Sequence, residues 1–302
     1  IAHTQPDNDK ALSLLVVPRG AKAPVRNLGT LELKEAIMGI VYPFSLSGST
    51  LLLNDENTLT RMDLTTGKTF RSDNTNGVFP IHGGNDKEII AVRNLKGDNE
   101  GSVFGTIDPQ TMAFRPLLTL TTCTERFIKN SLPAFDPNKR QVIFISEGPT
   151  NQTLMVMNEK GIAFSRTVTC ESTNAMPDKL GPWLLTGPKQ DRVWTCYLSK
   201  EKVTNENGAE FGLVEIPLNA APLRRIALFR VKKESEVMGF VQPTLSHDGQ
   251  TIALASICLF LDDEPLANAD DCALFLVEVG QAEPTITKVP IVIPTREANA
   301  SK

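Results

Sequence analysis

A single strand–turn–strand pattern recurs five times along the chain and constrains its fold more than any other feature of the sequence. In each copy a short apolar segment containing Pro leads into a polar turn, and an apolar strand follows. This arrangement is typical of a tight hairpin. The five copies are VYPFSLSGSTLLLN from Val41, VFPIHGGNDKEIIAV from Val78, LPAFDPNKRQVIFIS from Leu132, GPWLLTGPKQDRVWTC from Gly181 and VQPTLSHDGQTIALAS from Val241.

Each hairpin is followed by two more short strands joined by a second turn. The clearest example is TLTRMDLTTGKTFRS from Thr58, where Thr66 and Gly67 lie in the turn. Four antiparallel strands per unit, without sustained helical periodicity, predict an all-β protein built from the blades of a β-propeller. The equivalent positions in the second strands are 38, 53, 51 and 59 residues apart: Leu51, Ile89, Val142, Val193 and Ile252.

The number of blades follows from what lies outside these units. Five complete units occupy Glu35 to Pro290, the segment ALSLLVVPRGAKAPVRNL resembles the last two strands of another blade, and IVIPTREANASK supplies at most one strand. We therefore predict six blades in one domain over residues 1–302, with a composite sixth blade that closes the ring with N- and C-terminal strands. The count becomes seven if KVTNENGAEFG or the segment near Leu261 contains extra strands. We expect residues 1–9 and 295–302 to be flexible, and LELKEAIMG from Leu31 is the one candidate helical turn.

Three of the copies, QPTLSHDGQTIALAS, PAFDPNKRQVIFIS and YPFSLSGSTLLLN, resemble the repeat of the TolB-type propellers, a superfamily similar to tryptophan-aspartate-repeat propellers. That repeat has Pro, Phe and Ser ahead of an Asp-Gly turn and a strand, and this chain has His247 where Pro is common. The resemblance implies a propeller but no particular function, because propellers of this type host protein docking, carbohydrate binding and the non-catalytic lids of peptidases.

Charge and hydropathy argue against a nucleic-acid partner and against a membrane-spanning segment. The 302 residues include 31 basic and 35 acidic side chains, and no Lys/Arg run is long enough to follow a phosphate backbone. We therefore expect no nucleic-acid partner. The longest apolar runs, such as ALSLLVV from Ala11, are shorter than the roughly 18 to 20 residues of a membrane span, so we expect none in this chain.

The triplet Ser246, His247 and Asp248 raises the question of a hydrolytic site. Three consecutive residues cannot align as nucleophile, base and orienting acid, and the chain has no GxSxG motif. The Asp-Gly pair instead predicts a hairpin turn. His3, His82 and His247 lack the spacing of metal ligands, and we expect them to be solvated.

The acidic stretch LDDEPLANADD is the one candidate metal site. It contains Asp262, Asp263, Glu264, Asp270 and Asp271, whose carboxylates could bind Ca²⁺, although the DxDxDG register is absent. We favour the interpretation that this segment is a hydrated loop, whose acidic side chains repel one another, over a calcium site. We expect no other cofactor.

The five cysteines allow two disulfides. Cys258 ends one predicted strand and Cys272 begins the next, so the two could lie at bridging distance across a hairpin mouth. Cys170 could pair with either Cys123 or Cys196, which leaves one thiol over. The alternative is that all five are reduced and buried, in which case the compartment assigned below fails.

The function predicted from these features is non-catalytic protein binding by an exported subunit or scaffold of a larger assembly. The disulfide candidates lead us to expect a periplasmic or extracellular location, and a cleaved signal peptide is one explanation for a chain that begins at Ile1 rather than Met. The binding surface would be three long rim loops, Glu171–Leu180, Lys200–Glu210 and Asp262–Asp271. The alternative is a propeller hydrolase or lyase, calcium-dependent or not, whose acids converge in a central channel.

Overall fold

A computed structural model describes the strands and most turns of the chain. The described residues are 2–5, 8–16, 26–32, 44–47, 50–55, 58–73, 77–85, 88–95, 101–120, 133–148, 151–169, 177, 179–181, 183–187, 189, 191–200, 209–231, 243–246, 248–255, 260–261, 264–265 and 273–290. Within these ranges the structure contains no helix with the length and hydrophobicity of a membrane span.

The chain divides into two compact units. The first comprises residues 1–94, 103–117 and 293–302. It contains a three-stranded N-terminal sheet, blade 1 and most of blade 2. The strands of the N-terminal sheet are β1 (Ala2–Gln5), β2 (Asn8–Val16) and β3 (Arg26–Glu32). Those of blade 1 are β4 (Phe44–Ser47), β5 (Thr50–Asp55), β6 (Thr58–Asp63) and β7 (Thr69–Asp73). Those of blade 2 are β8 (Val78–Asn85), β9 (Glu88–Leu95), β10 (Gly101–Ile107) and β11 (Phe114–Leu120).

The second unit comprises residues 95–102 and 118–292 and contains blades 3, 4 and 5. The strands of blade 3 are β12 (Ala134–Asp136), β13 (Gln141–Glu147), β14 (Gln152–Asn158) and β15 (Gly161–Thr167). Those of blade 4 are β16 (Lys179–Leu180), β17 (Leu185–Thr186), β18 (Arg192–Lys200), β19 (Ala209–Pro217) and β20 (Arg224–Val231). Those of blade 5 are β21 (Thr244–Leu245), β22 (Thr251–Ala255), β25 (Ala273–Glu278) and β26 (Thr285–Pro290). Between β22 and β25 lies a separate ladder of β23 (Phe260–Leu261) and β24 (Glu264–Pro265).

The structure confirms the predicted unit. Each blade is an antiparallel meander of four strand positions, and the fold is an all-β propeller. Neighbouring strands are consecutive in the chain in blades 1, 2 and 3, whereas in blade 5 the β23–β24 ladder intervenes between β22 and β25, and in blade 4 β16 and β17 share the first position. The five positions taken as equivalent lie in the second strand of each blade, and all are buried: Leu51, Ile89, Val142, Val193 and Ile252.

The predicted count of six or seven blades is wrong. The described residues form five blades, and the N-terminal segment forms a sheet of three strands in the order β1-β2-β3. Ala2–Gln5 pairs with Asn8–Val16, so this segment supplies one strand more than the sequence pattern showed. The pattern near Leu261 did contain extra strands, but they pair only two residues each and do not form a blade. The predicted closing strand after Pro290 lies outside the described residues, as does most of LELKEAIMG, whose first two residues end β3.

Proline positions explain the irregular innermost strands. Pro133 and Pro243 directly precede β12 and β21, where a missing N–H costs no ladder bond. Pro80 lies within β8, and the pairing register shifts between Pro80 and Gly84, as in a β-bulge. In blade 4 the innermost strand is split into β16 and β17, which pair with opposite halves of β18.

The apolar core of the first unit lies between blades 1 and 2. Its members come from the second and third strands of both blades, from the first strand of blade 2 and from the β10–β11 turn. They are Leu52, Leu59, Val78, Ile89, Ala91, Ile107 and Met112.

Blade 4 is buried on both faces in the second unit. Because successive side chains of a strand point to opposite faces, β18 alternates between two cores. Val193 and Tyr197 pack with blade 3 residues such as Leu154, whereas Trp194 and Cys196 pack with those of blade 5. This explains why VWTCYL reads as a nearly continuous apolar run and not as a half-buried strand. Full burial of one aliphatic side chain, such as that of Val193 or Leu154, contributes about 1.5 to 3 kcal/mol to the free energy of folding.

Candidate functional site

The two ends of each blade differ in the connections that they carry. In an antiparallel meander, the turns between strands 1 and 2 and between strands 3 and 4 lie at one end, which we call the short-turn end. The connection between strands 2 and 3, and the segment that leaves strand 4 for the next blade, lie at the other end. In the second unit this other end receives every connection longer than seven residues, and we call it the long-connection end. The segments are 121–133, 168–178, 201–208, 232–243 and 256–272.

Gln152 ties together both sides of the segment that connects blades 3 and 4. The N–H of Val168 donates to the Gln152 carbonyl at 2.8 Å, and the Gln152 N–H donates to Thr169 Oγ1 at 2.6 Å. On the far side of the connection, the Leu180 N–H donates to Gln152 Oε1 at 2.8 Å. One residue at the start of β14 therefore fixes the backbone on both sides of the first rim loop.

A buried tyrosine fixes the base of the second rim loop. Tyr197 on β18 is fully buried, and its hydroxyl donates to Glu210 Oε1 at 2.5 Å. The guanidinium of Arg225 lies over the Tyr197 ring, 5.9 Å from its centroid. Burial, followed by the hydrogen bond and charge of Glu210, raises the pKa of Tyr197, while Arg225 opposes the rise. The hydroxyl thus remains protonated and continues to donate to the strand that leaves the loop.

Aspartates organise the turns at the short-turn end. Asp63 Oδ1 accepts the N–H groups of Thr65 and Thr66, and Gly67 adopts a φ of 71°, which glycine tolerates without strain. Asp108 Oδ1 accepts two backbone N–H groups in the β10–β11 turn in the same way, and Asp136 does so in the β12–β13 turn. In each of these turns the aspartate Oδ1 accepts hydrogen bonds from backbone N–H groups of the residues that follow it.

The Ser-His-Asp triplet is also a turn, as the sequence predicted. Ser246 Oγ donates to Asp248 Oδ1 at 2.6 Å, and Gly249 has a φ of 69°. The Thr251 N–H donates to Ser246 Oγ at 2.9 Å, and the Ser246 N–H donates to the Thr251 carbonyl at 2.8 Å. The hydroxyl and carboxylate therefore close the β21–β22 hairpin. His247 lies outside the described residues.

An ion-pair network crosses blade 4 near the short-turn end. Glu215 is 5% exposed, and its Oε2 accepts Arg224 Nε at 2.6 Å while its Oε1 pairs with Arg192 Nη1. Arg224 also lies over the Trp194 ring, 5.4 Å from the centroid. The Asp191 carboxylate, which accepts two Arg192 donors, is the first cause of the raised pKa of Arg192, and Glu215 adds to the rise. Because both carboxylate oxygens of Glu215 are engaged by cations, its buried charge is compensated.

Most residues predicted as ligands or disulfides lie outside the described residues. In the candidate calcium loop they are Asp262, Asp263, Asp270 and Asp271. Among the cysteines they are Cys123, Cys170, Cys258 and Cys272. The calcium site and the disulfide pairings therefore remain predictions. Cys196 is described: it is fully buried in β18, and burial raises the pKa of its thiol. His3 and His82 lie in β1 and β8.

Sequence reasoning missed the residues that organise the two ends of the blades. Glu215 and Tyr197 had a visible signal: Glu215 interrupts an apolar run, Tyr197 places a hydroxyl within one, and a polar group that is buried requires a partner. Gln152 carried no such signal, since a Gln at the start of a strand is ordinary. Its role depends on two backbone segments that meet only in the folded chain.

The fold is a β-propeller, and the blades of its second unit carry short turns at one end and the long connections at the other. No family model matches the sequence, and no curated protein matches it. Among solved structures, TolB from Acinetobacter baumannii is similar, with a TM-score of 0.42 and 13% identity over 77% of this chain and 49% of that one. The chain thus spans about half the length of TolB.

Two further solved structures are similar to the chain at comparable TM-scores and identities. The β-propeller domain of Cps50 (Swd1) from Myceliophteria thermophila has a TM-score of 0.42 and 12% identity, covering 95% of this chain and 82% of that one. A hypothetical selenium-binding protein from Sulfolobus tokodaii has a TM-score of 0.47 and 11% identity, covering 94% and 71%.

Proposed function

We propose that this chain is a non-catalytic, protein-binding propeller, an exported subunit or scaffold of a larger assembly, that binds its partner through the rim loops. The observation that carries the proposal is the segregation of connections in the second unit: the long ones leave one end of the blades, and tight turns close the other. Polar loops presented together on a rigid scaffold are where binding residues concentrate in proteins.

The described residues at the bases of the loops support this role. Gln152 fixes the backbone on both sides of the first rim loop, and the Tyr197–Glu210 hydrogen bond fixes one side of the second. Both anchors lie on strands that contribute apolar side chains to the core shared by blades 3 and 4. A scaffold that holds the ends of its loops lowers the conformational entropy that the loops lose on binding, which favours affinity.

Export is part of the proposal and depends on the cysteines. A disulfide between Cys258 and Cys272 would close the third rim loop at its base, as the hydrogen bonds do for the first. Such a bond persists in oxidising compartments such as the periplasm or the extracellular space.

The test is co-purification of the tagged chain from the cells that produce it, followed by mass spectrometry of the bound proteins. In separate variants, residues 171–176, 202–207 and 266–269 are replaced by Gly-Ser segments of the same length. We expect at least one replacement to reduce recovery of a stoichiometric partner by about tenfold or more, because few residues carry most of the energy of an interface. The matched control changes Glu159 and Lys160, both exposed in the β14–β15 turn at the short-turn end, to Ser.

The control variant should retain the partner in full. A wild-type chain that purifies alone, or a partner whose recovery none of the three loop replacements reduces, contradicts the proposal.

A further inference from the structure

Arg166 connects blade 3 to the next blade through backbone carbonyls. Its Nη1 donates to the carbonyls of Pro217, Asn219 and Ala221, at 3.3, 2.9 and 2.8 Å. Arg166 lies on the outermost strand β15, whereas its three acceptors lie at the end of β19 and in the β19–β20 turn of blade 4. Turn carbonyls lack the ladder partners of a sheet, so a cation from outside can satisfy several at once.

Arg224 makes the corresponding connection from blade 4 to blade 5. Its Nη2 donates to the carbonyl of Val279 at 3.0 Å, and its Nη1 to those of Gln281 and Ala282 at 2.9 and 3.3 Å. Its Nε is held by Glu215 within blade 4. The planar guanidinium therefore spans the two blades, with one edge on its own sheet and the other on the β25–β26 turn of the next.

The first unit contains the same contact. Arg61 on β6 of blade 1 donates through Nη1 to the carbonyls of Pro109 and Gln110 in the β10–β11 turn of blade 2. Its guanidinium also lies over the Phe70 ring, 5.4 Å from the centroid. In all three cases the acceptor is the turn between the third and fourth strands of the following blade.

We propose that Arg166 and Arg224 are interblade clamps that couple the opening of blades 3, 4 and 5, so that these blades open and close as one cooperative unit. Blade packing is short-range, and stability in repeated structures is the sum of each repeat and its interfaces with its neighbours. A charged donor shared among three carbonyls of the neighbouring blade adds a directional contribution to the interface, which apolar packing alone does not provide. The inference is independent of whether the rim loops bind a protein.

The test is native-state amide hydrogen exchange, read by mass spectrometry, on the full chain. Arg224→Gln removes the clamp on blade 5, and Arg166→Gln removes the clamp on blade 4. We expect exchange of protected amides to rise at least about fivefold in residues 273–290 for Arg224→Gln, and in residues 209–230 for Arg166→Gln, as the blade beyond each clamp opens separately. Lys160→Gln, which removes one exposed positive charge from blade 3, should leave both regions unchanged.

A variant that retains the charge distinguishes clamping from simple electrostatics. Arg224→Lys keeps a cation beside Glu215, but a single ammonium cannot hold that carboxylate and three carbonyls together. It should raise exchange in residues 273–290 by less than Arg224→Gln does, and it serves alone if Arg224→Gln does not fold. The proposal would be overturned if residues 273–290 of the Arg224 variants exchanged at the wild-type rate. It would also be overturned if the exchange rate rose equally in all blades.

Discussion

Two glycines show how closely the strands of a blade approach. A Cβ on Gly212 of β19 would lie 2.2 Å from the Ile226 carbonyl oxygen and 2.8 Å from the Tyr197 ring. A Cβ on Gly105 of β10 would lie 2.1 Å from the Arg115 carbonyl oxygen. Both glycines occupy the third strand and face the backbone of the fourth, so the outer pairing of blades 2 and 4 requires a residue without a side chain.

We predict that Gly212→Ala lowers the free energy of unfolding by about 2 to 3 kcal/mol, because the obstructing atoms belong to backbone and a buried ring that cannot move aside. Urea denaturation followed by fluorescence measures the change. Gly187→Ala is the control, because its Cβ would have only Leu245 at 4.0 Å. That variant should stay within about 0.5 kcal/mol of the wild type. Equal midpoints for both variants would contradict the close approach.

Among the elements, the aspartate turns make hairpin closure dependent on charge. Backbone N–H groups lower the pKa of Asp63, with Thr66 the largest contributor and Thr65 the next. The pKa of Asp108 is lowered likewise, first by the N–H of Thr111 and then by that of Gln110. The turns therefore favour the ionised carboxylates over the protonated forms.

A lowered folded-state pKa makes stability depend on pH in one direction. Each carboxylate stabilises the fold fully above its unfolded-state pKa, near 3.8, and the contribution is lost as the pH falls through the lower folded-state pKa. We predict that the melting temperature of the wild type falls more steeply below about pH 4 than that of the double variant Asp63→Asn, Asp108→Asn. Asn accepts the same N–H bonds without titrating. If the melting temperatures of the wild type and the double variant fell in parallel from pH 6 to pH 2, these turns would not contribute to the pH dependence of stability.

At the scale of the whole molecule, the two ends of the blades are under different constraints. The β6–β7 turn is short and tied by Asp63, whereas the connection between β18 and β19 has eight residues, 201–208, between its strands. The entropic cost of closing a loop grows slowly with its length, so an already long connection tolerates insertion better than a hydrogen-bonded turn.

We therefore predict different costs for the same insertion at two places. Four residues of Gly-Ser-Gly-Ser between Asn205 and Glu206 should lower the free energy of unfolding by less than about 1 kcal/mol. The same insertion between Thr65 and Thr66 should cost about 2 kcal/mol, because it disrupts two N–H bonds to Asp63. Urea midpoints of the two variants provide the comparison, and a larger loss from the insertion after Asn205 would contradict the assignment of the two ends.

Much of this architecture was predictable because it is local. The hairpin at Ser246–Thr251, the turn at Gly67 and the buried second-strand residues such as Ile252 each depend on residues a few positions apart. Turn chemistry and alternation act over that range and are visible in a single sequence. The unit of four strands follows from them.

Other features depend on contacts between distant parts of the chain. The strand at Ala2–Gln5 was not predicted, and the six-blade count failed, because pairing at the terminus depends on which segment offers a free edge. The partners of Gln152, Glu215, Arg166 and Arg224 were likewise not predictable from the sequence. In three of these four cases a side chain meets backbone atoms of a neighbouring blade, and a carbonyl or N–H has the same chemistry in every residue.

The sequence by itself therefore determined the repeated unit, its strands and its turns, since these follow from side-chain periodicity and short-range hydrogen bonding. Only the tertiary structure decided the number of blades, the residues that fix the ends of the rim loops and the arginines that join one blade to the next. These depend on which backbone groups are left without a partner when the sheets pack together, and that is a property of the folded arrangement rather than of any local segment.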